Sequence, residues 1–124
     1  MPTLTDITTG VQTVSTTGAI TPTAGVDISG ITGDATIVCE VTGLTSGKTA
    51  RIQFEDTTNA FTASNALAVI NVTGQIDGRW SDRFTLRKYQ LPNNLFGTAS
   101  AKLRANLTVI DSAAVLSLHA WLET

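Results

Sequence analysis

With one histidine, His119, and one cysteine, Cys39, the chain has little from which to build a reaction. Any Ser-His-Asp triad would depend on His119 alone, and any metal site would have to be assembled mainly from carboxylates. Glu55 and Asp56 are adjacent acids, but general acid-base work needs two carboxylates facing each other across a substrate. Adjacency does not supply that, so the pair reads as turn and edge residues. Asp77-Gly78 could offer one calcium ligand, yet the multi-oxygen loop spacing is missing. Cys39 stands among Ile37, Val38 and Val41 with no basic residue or histidine close in sequence, which predicts a buried small hydrophobe rather than an activated thiolate. The expectation is a protein that is not an enzyme and holds no metal or cofactor.

The aromatic residues are the next chemistry-bearing group, because exposed rings can stack on sugars or anchor a protein interface. Trp80 and Phe84 share the apolar parity of their segment and are expected in the core. Tyr89 and Trp121 fall on the outward parity, with His119 beside Trp121 as a surface or interface residue. The glycosylation-like triplets at Asn71 and Asn106 lie inside predicted strands and read as chance.

Charge is distributed unevenly. Arg79, Arg83, Arg87, Lys88, Lys102 and Arg104 crowd into residues 79–104 with Asp82 as the only acid, a net +5 from six minus one. The first 47 residues carry Asp6, Asp27, Asp34 and Glu40 and no base. Surfaces of opposite sign can steer and register an association. The overall formal charge of -2 gives no reason to expect nucleic acid, which needs clustered positive charge.

These residues must be positioned by strands. Residues 3–33 are rich in Thr, Ser and Gly with spaced Leu4, Ile7, Val11, Val14, Ile20, Val26, Ile28 and Ile31. β-Branched side chains favour extended backbone and the glycines interrupt it. The segment is expected as an extended arm, bound to a partner or paired at a sheet edge, and a chain lacking it is expected to fold. From residue 34 the pattern is that of a body. An apolar run over 35–41 leads to the Gly- and Ser-rich 42–48, read as a hairpin turn, and then to strict alternation over 51–55. Further strands are predicted over 66–72, 79–90, 101–110 and 116–123, with reversals at 73–78 and 111–113 and a helical turn or compact loop over 91–97 around Pro92. No segment has convincing helical periodicity.

Short strands between small-residue turns argue for an all-β fold, a single antiparallel β-sandwich, jelly-roll-like, with the extended arm at 1–33 and the body at 34–124. The 124 residues fit one such domain, and 42% hydrophobic against 15% charged residues is a folded composition. A lone cysteine rules out an intrachain disulfide. The N-terminus lacks the basic start and apolar core of a signal peptide, and no apolar run approaches the roughly 18 residues of a membrane helix, so a soluble protein made in the cytoplasm is expected.

The segments Ser81 to Gln90, Leu95-Phe96-Gly97 and Ser117 to Glu123 resemble small capsid-associated proteins of tailed bacteriophages, in general style and without a diagnostic motif. That resemblance implies a decoration, or cement, protein on the outer head surface. Its partners would be the major capsid protein and neighbouring copies of itself, as a homo-oligomer with a trimer favoured, and no nucleic acid or membrane would be involved. The candidate contact residues are Leu4, Ile7, Val11, Val14, Arg79, Arg83, Arg87, Lys88, Tyr89, Lys102, Arg104 and Trp121. Two other functions remain open: a carbohydrate-binding β-sandwich that stacks glycan on Tyr89 and Trp121, and a tail or head-tail connector component.

Overall fold

A computed structural model describes residues 4–57, 65–87 and 101–124. Among them it forms ten β-strands: β1 (Leu4–Asp6), β2 (Gln12–Val14), β3 (Gly18–Ala19), β4 (Val26–Asp27), β5 (Ala35–Thr42), β6 (Thr49–Thr57), β7 (Asn65–Thr73), β8 (Arg79–Leu86), β9 (Lys102–Ile110) and β10 (Leu116–Glu123). The strands build two antiparallel sheets packed as a sandwich. In the first the order is β1-β10-β5-β8, with β2 also on β10; in the second it is β3-β9-β6-β7, with β4 also on β9.

Alternation decides which side chains meet. β10 presents Leu116, Leu118, Ala120 and Leu122 to the interior, and β5 presents Ala35, Ile37, Cys39 and Val41. Ala50, Ile52 and Phe54 of β6, Ile70 and Val72 of β7, and Leu103, Ala105 and Leu107 of β9 answer them from the second sheet. Burying each large aliphatic chain contributes about 1.5–3 kcal/mol, so this one interleaved layer is the main force holding the sheets face to face. Trp80 and Phe84 pack against it, as their parity predicts.

The segment expected as an extended arm, bound to a partner or paired at a sheet edge, forms over its described residues the outer strands of both sheets of its own chain. β1 and β2 lie along the free edge of β10, and β3 and β4 along that of β9. Its isoleucines Ile7, Ile20 and Ile28 are 0%, 3% and 1% exposed and belong to the core. Removing residues 1–33 would therefore take three aliphatic chains from the interior and bare two sheet edges, which makes independent folding of the remainder a poor expectation. Between β1 and β2 the ladder breaks. There the Ile7 and Thr8 amides both donate to the Ala120 carbonyl, at 2.9 and 3.1 Å, and the buried Thr8 hydroxyl accepts from the Ala120 amide at 3.1 Å. A side-chain oxygen thus stands in for the missing strand carbonyl, and no buried backbone donor is left open there.

The hairpin expected across 42–48 is absent. β5 and β6 lie in different sheets, so residues 43–48 cross from one to the other. The 74–78 segment makes the same crossing from β7 to β8, and the two crossings bind each other: Gly43 N donates to Gly78 O at 3.0 Å, Gly47 N to Gly74 O at 3.0 Å, and Gly74 N to Lys48 O at 2.7 Å. Apolar content on both sides of a turn reads alike whether the chain returns to its own sheet or passes to the facing one. The helical turn expected over 91–97 lies outside the described residues.

Candidate functional site

The outer face of the first sheet collects more chemically active side chains than any other surface described. Register places them in a grid four strands wide, in the order β1 or β2, β10, β5, β8. One row reads Asp6, Trp121, Val38, Arg83, and the row before it reads Leu4, Glu123, Thr36, Thr85. Beyond Trp121 come His119, Glu40 and Ser81, and then Thr13, Ser117, Thr42 and Arg79. Apart from Leu4, Trp121 and His119, every second residue of the four strands is thus a hydroxyl, a carboxylate or a cation around one aliphatic centre.

That centre is Val38. It is 3% exposed although its chain neighbours Ile37 and Cys39 face the interior, so outer-face side chains must cover it, and its cross-strand neighbours are Trp121 and Arg83. The indole is held in place on two sides. Its Nε1 donates to Glu123 Oε1 at 3.3 Å, and its ring lies 4.8 Å from that of His119, tilted by 45°. Glu123 in turn accepts from Arg83 Nη2 at 2.6 Å, and His119 Nε2 donates to Asp6 Oδ1 at 3.0 Å. The result is a connected chain, Asp6, His119, Trp121, Glu123, Arg83, drawn from three strands. Next to it, an open depression of about 490 Å³ is lined by Glu40, Thr42, Arg79 and Ser81 together with Val41 and Trp80.

The second sheet carries a different polar cluster on its outer face. Glu55 accepts from Arg104 Nε at 2.9 Å, from Gln53 Nε2 at 3.0 Å and from Asn106 Nδ2 at 3.2 and 3.3 Å. Arg104 Nη1 also donates to the Thr23 carbonyl at 3.2 Å, tying the loop between β3 and β4 to the sheet. With side chains only 7% and 19% exposed, Glu55 and Arg104 satisfy each other and leave little for a ligand.

Asp56, next along β6, points inward. It is 5% exposed, its Oδ1 makes no hydrogen bond, and burial pushes its carboxyl above the usual range. Cys39 is fully buried and its thiol is pushed up to about 12, mainly by burial and further by the charges of Asp82 and Glu40, so it is no nucleophile. Among the described residues no group of three or more His, Cys, Asp and Glu could hold a metal ion.

The basic window does not form one patch. Arg79, Arg83 and Arg87 belong to the β8 side of the first sheet, whereas Lys102 and Arg104 lie on β9 in the second. Several are already paired within the chain: Arg83 with Glu123, Arg104 with Glu55, and Arg87 with Asp34 at 3.7 Å. The acids of the first 33 residues meet this chain's own body, Asp6 at His119 and Asp27 in the field of Lys102, while two hydrogen bonds from Ser29 hold the Asp27 carboxyl below its usual range.

Of the residues expected at an interface, the grid brings together Leu4, Arg79, Arg83 and Trp121. Ile7 is a correction: fully buried in the core, it has no side chain to offer a partner. Val14 packs against the core and Val11 is 65% exposed on the β1–β2 connection. Lys88 and Tyr89 lie outside the described residues. Sequence reasoning overlooked Asp6, Glu40 and Glu123 as members of the site because they come from three distant strands. Compared with known proteins, the chain matches no family model and no curated protein.

Proposed function

We propose that the chain is a virion structural protein, a decoration protein of a bacteriophage head that binds the major capsid protein and neighbouring copies of itself and works as a homo-oligomer, a trimer being favoured. The observation that carries the reading is an asymmetry of sheet edges. On one side β1 to β4 cover β10 and β9 with short, interrupted strands, while on the other β8 and β7 end their sheets with no further strand among the described residues. Interrupted edges resist strand addition, and long uncovered ones offer rows of amides and carbonyls to a partner. β8 is partly occupied already, since the Arg79 amide donates to Asp77 Oδ1 at 3.1 Å and the Arg83 amide to Asp82 Oδ1 at 2.8 Å, which limits indiscriminate pairing.

Two further features agree with assembly. Ile76, 97% exposed, tops the crossing into β8, and that crossing is braced by the hydrogen bonds of Gly43, Gly74 and Gly78. A large apolar side chain on a rigid turn docks at small entropic cost. A jelly-roll reading is supported by the alternation of major strands between the sheets, which is broken only from β6 to β7; jelly rolls are common among capsid and lectin domains. This last support is an analogy of fold.

Mass spectrometry of purified particles made from the genome that encodes the chain tests the reading. Recovery of the chain in many copies per particle, with a trimer in solution by native mass measurement, is the expected result. Absence from the particles overturns it, and a large closed ring in solution would favour a connector instead.

A further inference from the structure

We infer that the outer face of the first sheet is a binding surface for a neutral glycan chain, seated along Trp121 and the depression beside it. The inference does not depend on where the protein assembles. It rests on the composition of the grid and on its shape.

Three classes of occupant can be compared. The core of a protein interface is depleted in charged residues and built around clustered apolar anchors. Here the apolar groups are Trp121 beside the covered Val38 and the exposed Leu4 at the sheet edge, set among Asp6, His119, Glu123 and Arg83, so charge is not depleted where a protein partner would bury its core. A polyanion needs clustered positive charge, and the face sets Asp6, Glu40 and Glu123 against Arg79 and Arg83. A neutral polyol suits the mixture, since each sugar hydroxyl both donates and accepts and so can satisfy carboxylate, guanidinium and threonine alike.

The geometry agrees. Adjacent strands stand ~4.8 Å apart and successive outward residues on a strand ~6.8 Å apart, so neighbouring side chains of the grid are spaced on the scale of one sugar ring. Trp121, half-buried on this face, offers aromatic surface to a pyranose, and its hydrogen bond to Glu123 and its contact with His119 fix the indole before any ligand arrives. The adjoining depression, about 490 Å³ in volume, adds Glu40, Thr42, Arg79 and Ser81 as hydrogen-bonding groups. That volume falls in the range of small-molecule sites. Arg79 has no ion pair among the described residues, so its guanidinium is available to a hydroxyl.

The test uses the full chain with four neutral probes, cellohexaose, xylohexaose, mannohexaose and chitohexaose, followed by calorimetry and by the indole signals in NMR spectra. Binding of at least one probe is expected, with the Trp121 indole resonance moving. Trp121→Ala should weaken binding by about tenfold, the size of one lost ring contact. If that variant fails to fold, Glu40→Ala, an exposed change on the same face, should weaken it too, while Arg51→Ala on the second sheet leaves it unchanged. No binding of any probe at millimolar concentration, or undiminished binding by folded Trp121→Ala or by Glu40→Ala, overturns the inference. Either result leaves the particle test above unaffected.

Discussion

His119 Nε2 donates to Asp6 Oδ1 at 3.0 Å, so the last strand of the chain holds the first by a side-chain contact as well as by the ladder. β1 has only three residues and lies at the edge of its sheet. A contact between side chains 30% and 57% exposed adds little to global stability, about 0.2–1 kcal/mol for pairs of this kind. Its effect should be local.

Asp6→Ala should accordingly speed hydrogen exchange at the edge while leaving the centre untouched. The amides of Ile7 and Thr8, both bound to the Ala120 carbonyl, are the reporters, and those of β5 are the control. Equal acceleration in β5, or no change at Ile7 and Thr8, would show that the pair does not anchor the strand.

Gly74 is fixed by space. A Cβ there would lie 2.0 Å from the Thr45 carbonyl oxygen and 2.8 Å from that of Leu44, both backbone atoms that cannot swing away. Gly74→Ala should cost about 3 kcal/mol or more, because the two hydrogen-bonded crossings would have to part. Gly10 is the contrast: its φ is +59° with nothing within 4 Å, so Gly10→Ala meets only the left-handed backbone penalty, about 1–2 kcal/mol. Urea unfolding of the two variants separates crowding from backbone strain, and equal losses would count against this account of Gly74.

The alternation over 101–110 and 116–123 was enough to locate β9 and β10 and to put Leu103, Leu107, Leu118 and Leu122 inside, because period two translates directly into faces. Pairing was less legible. Nothing in 43–48 distinguishes a return to the same sheet from a crossing to the other, since that choice depends on which distant strand takes up the β5 edge, and β8 and β10 both lie far along the chain. The same limit hid the site. Trp121 and Arg83 stand out by type, but their placement on either side of Val38 follows only from the registers of β10 and β8 on β5. Ile7 looked like an anchor for a partner because a strand of few apolar residues does not reveal that its own core will receive them.

Asp56 should make stability depend on pH. Burial raises its carboxyl above the ordinary value of 3.8, so the folded state holds the proton more tightly than the unfolded one. Stability from this group is therefore complete below pH 3.8 and is lost as pH rises through the raised folded value. Asp56→Asn keeps the shape without the charge. Its melting temperature should match that of the parent in strong acid and exceed it by a few degrees at neutral pH. A difference that did not change with pH would assign the effect to packing.

Glu55 and Arg104 should behave as a coupled pair. Both face outward on the second sheet but are nearly covered, and the carboxylate receives four hydrogen-bond contacts from Arg104, Gln53 and Asn106. Arg104→Met removes the compensating charge and leaves Glu55 buried beside two neutral amides, a change that typically costs about 3–5 kcal/mol. It also releases the Thr23 carbonyl, so part of the loss should appear as faster exchange around β3 and β4. Glu55→Gln in the same chain removes the stranded charge and should recover most of the loss, because a neutral amide can still share hydrogen bonds with Gln53 and Asn106. A double-mutant cycle measures the coupling directly. Additive losses would mean that solvent reaches the pair and that the low exposure of the two side chains does not isolate them from water.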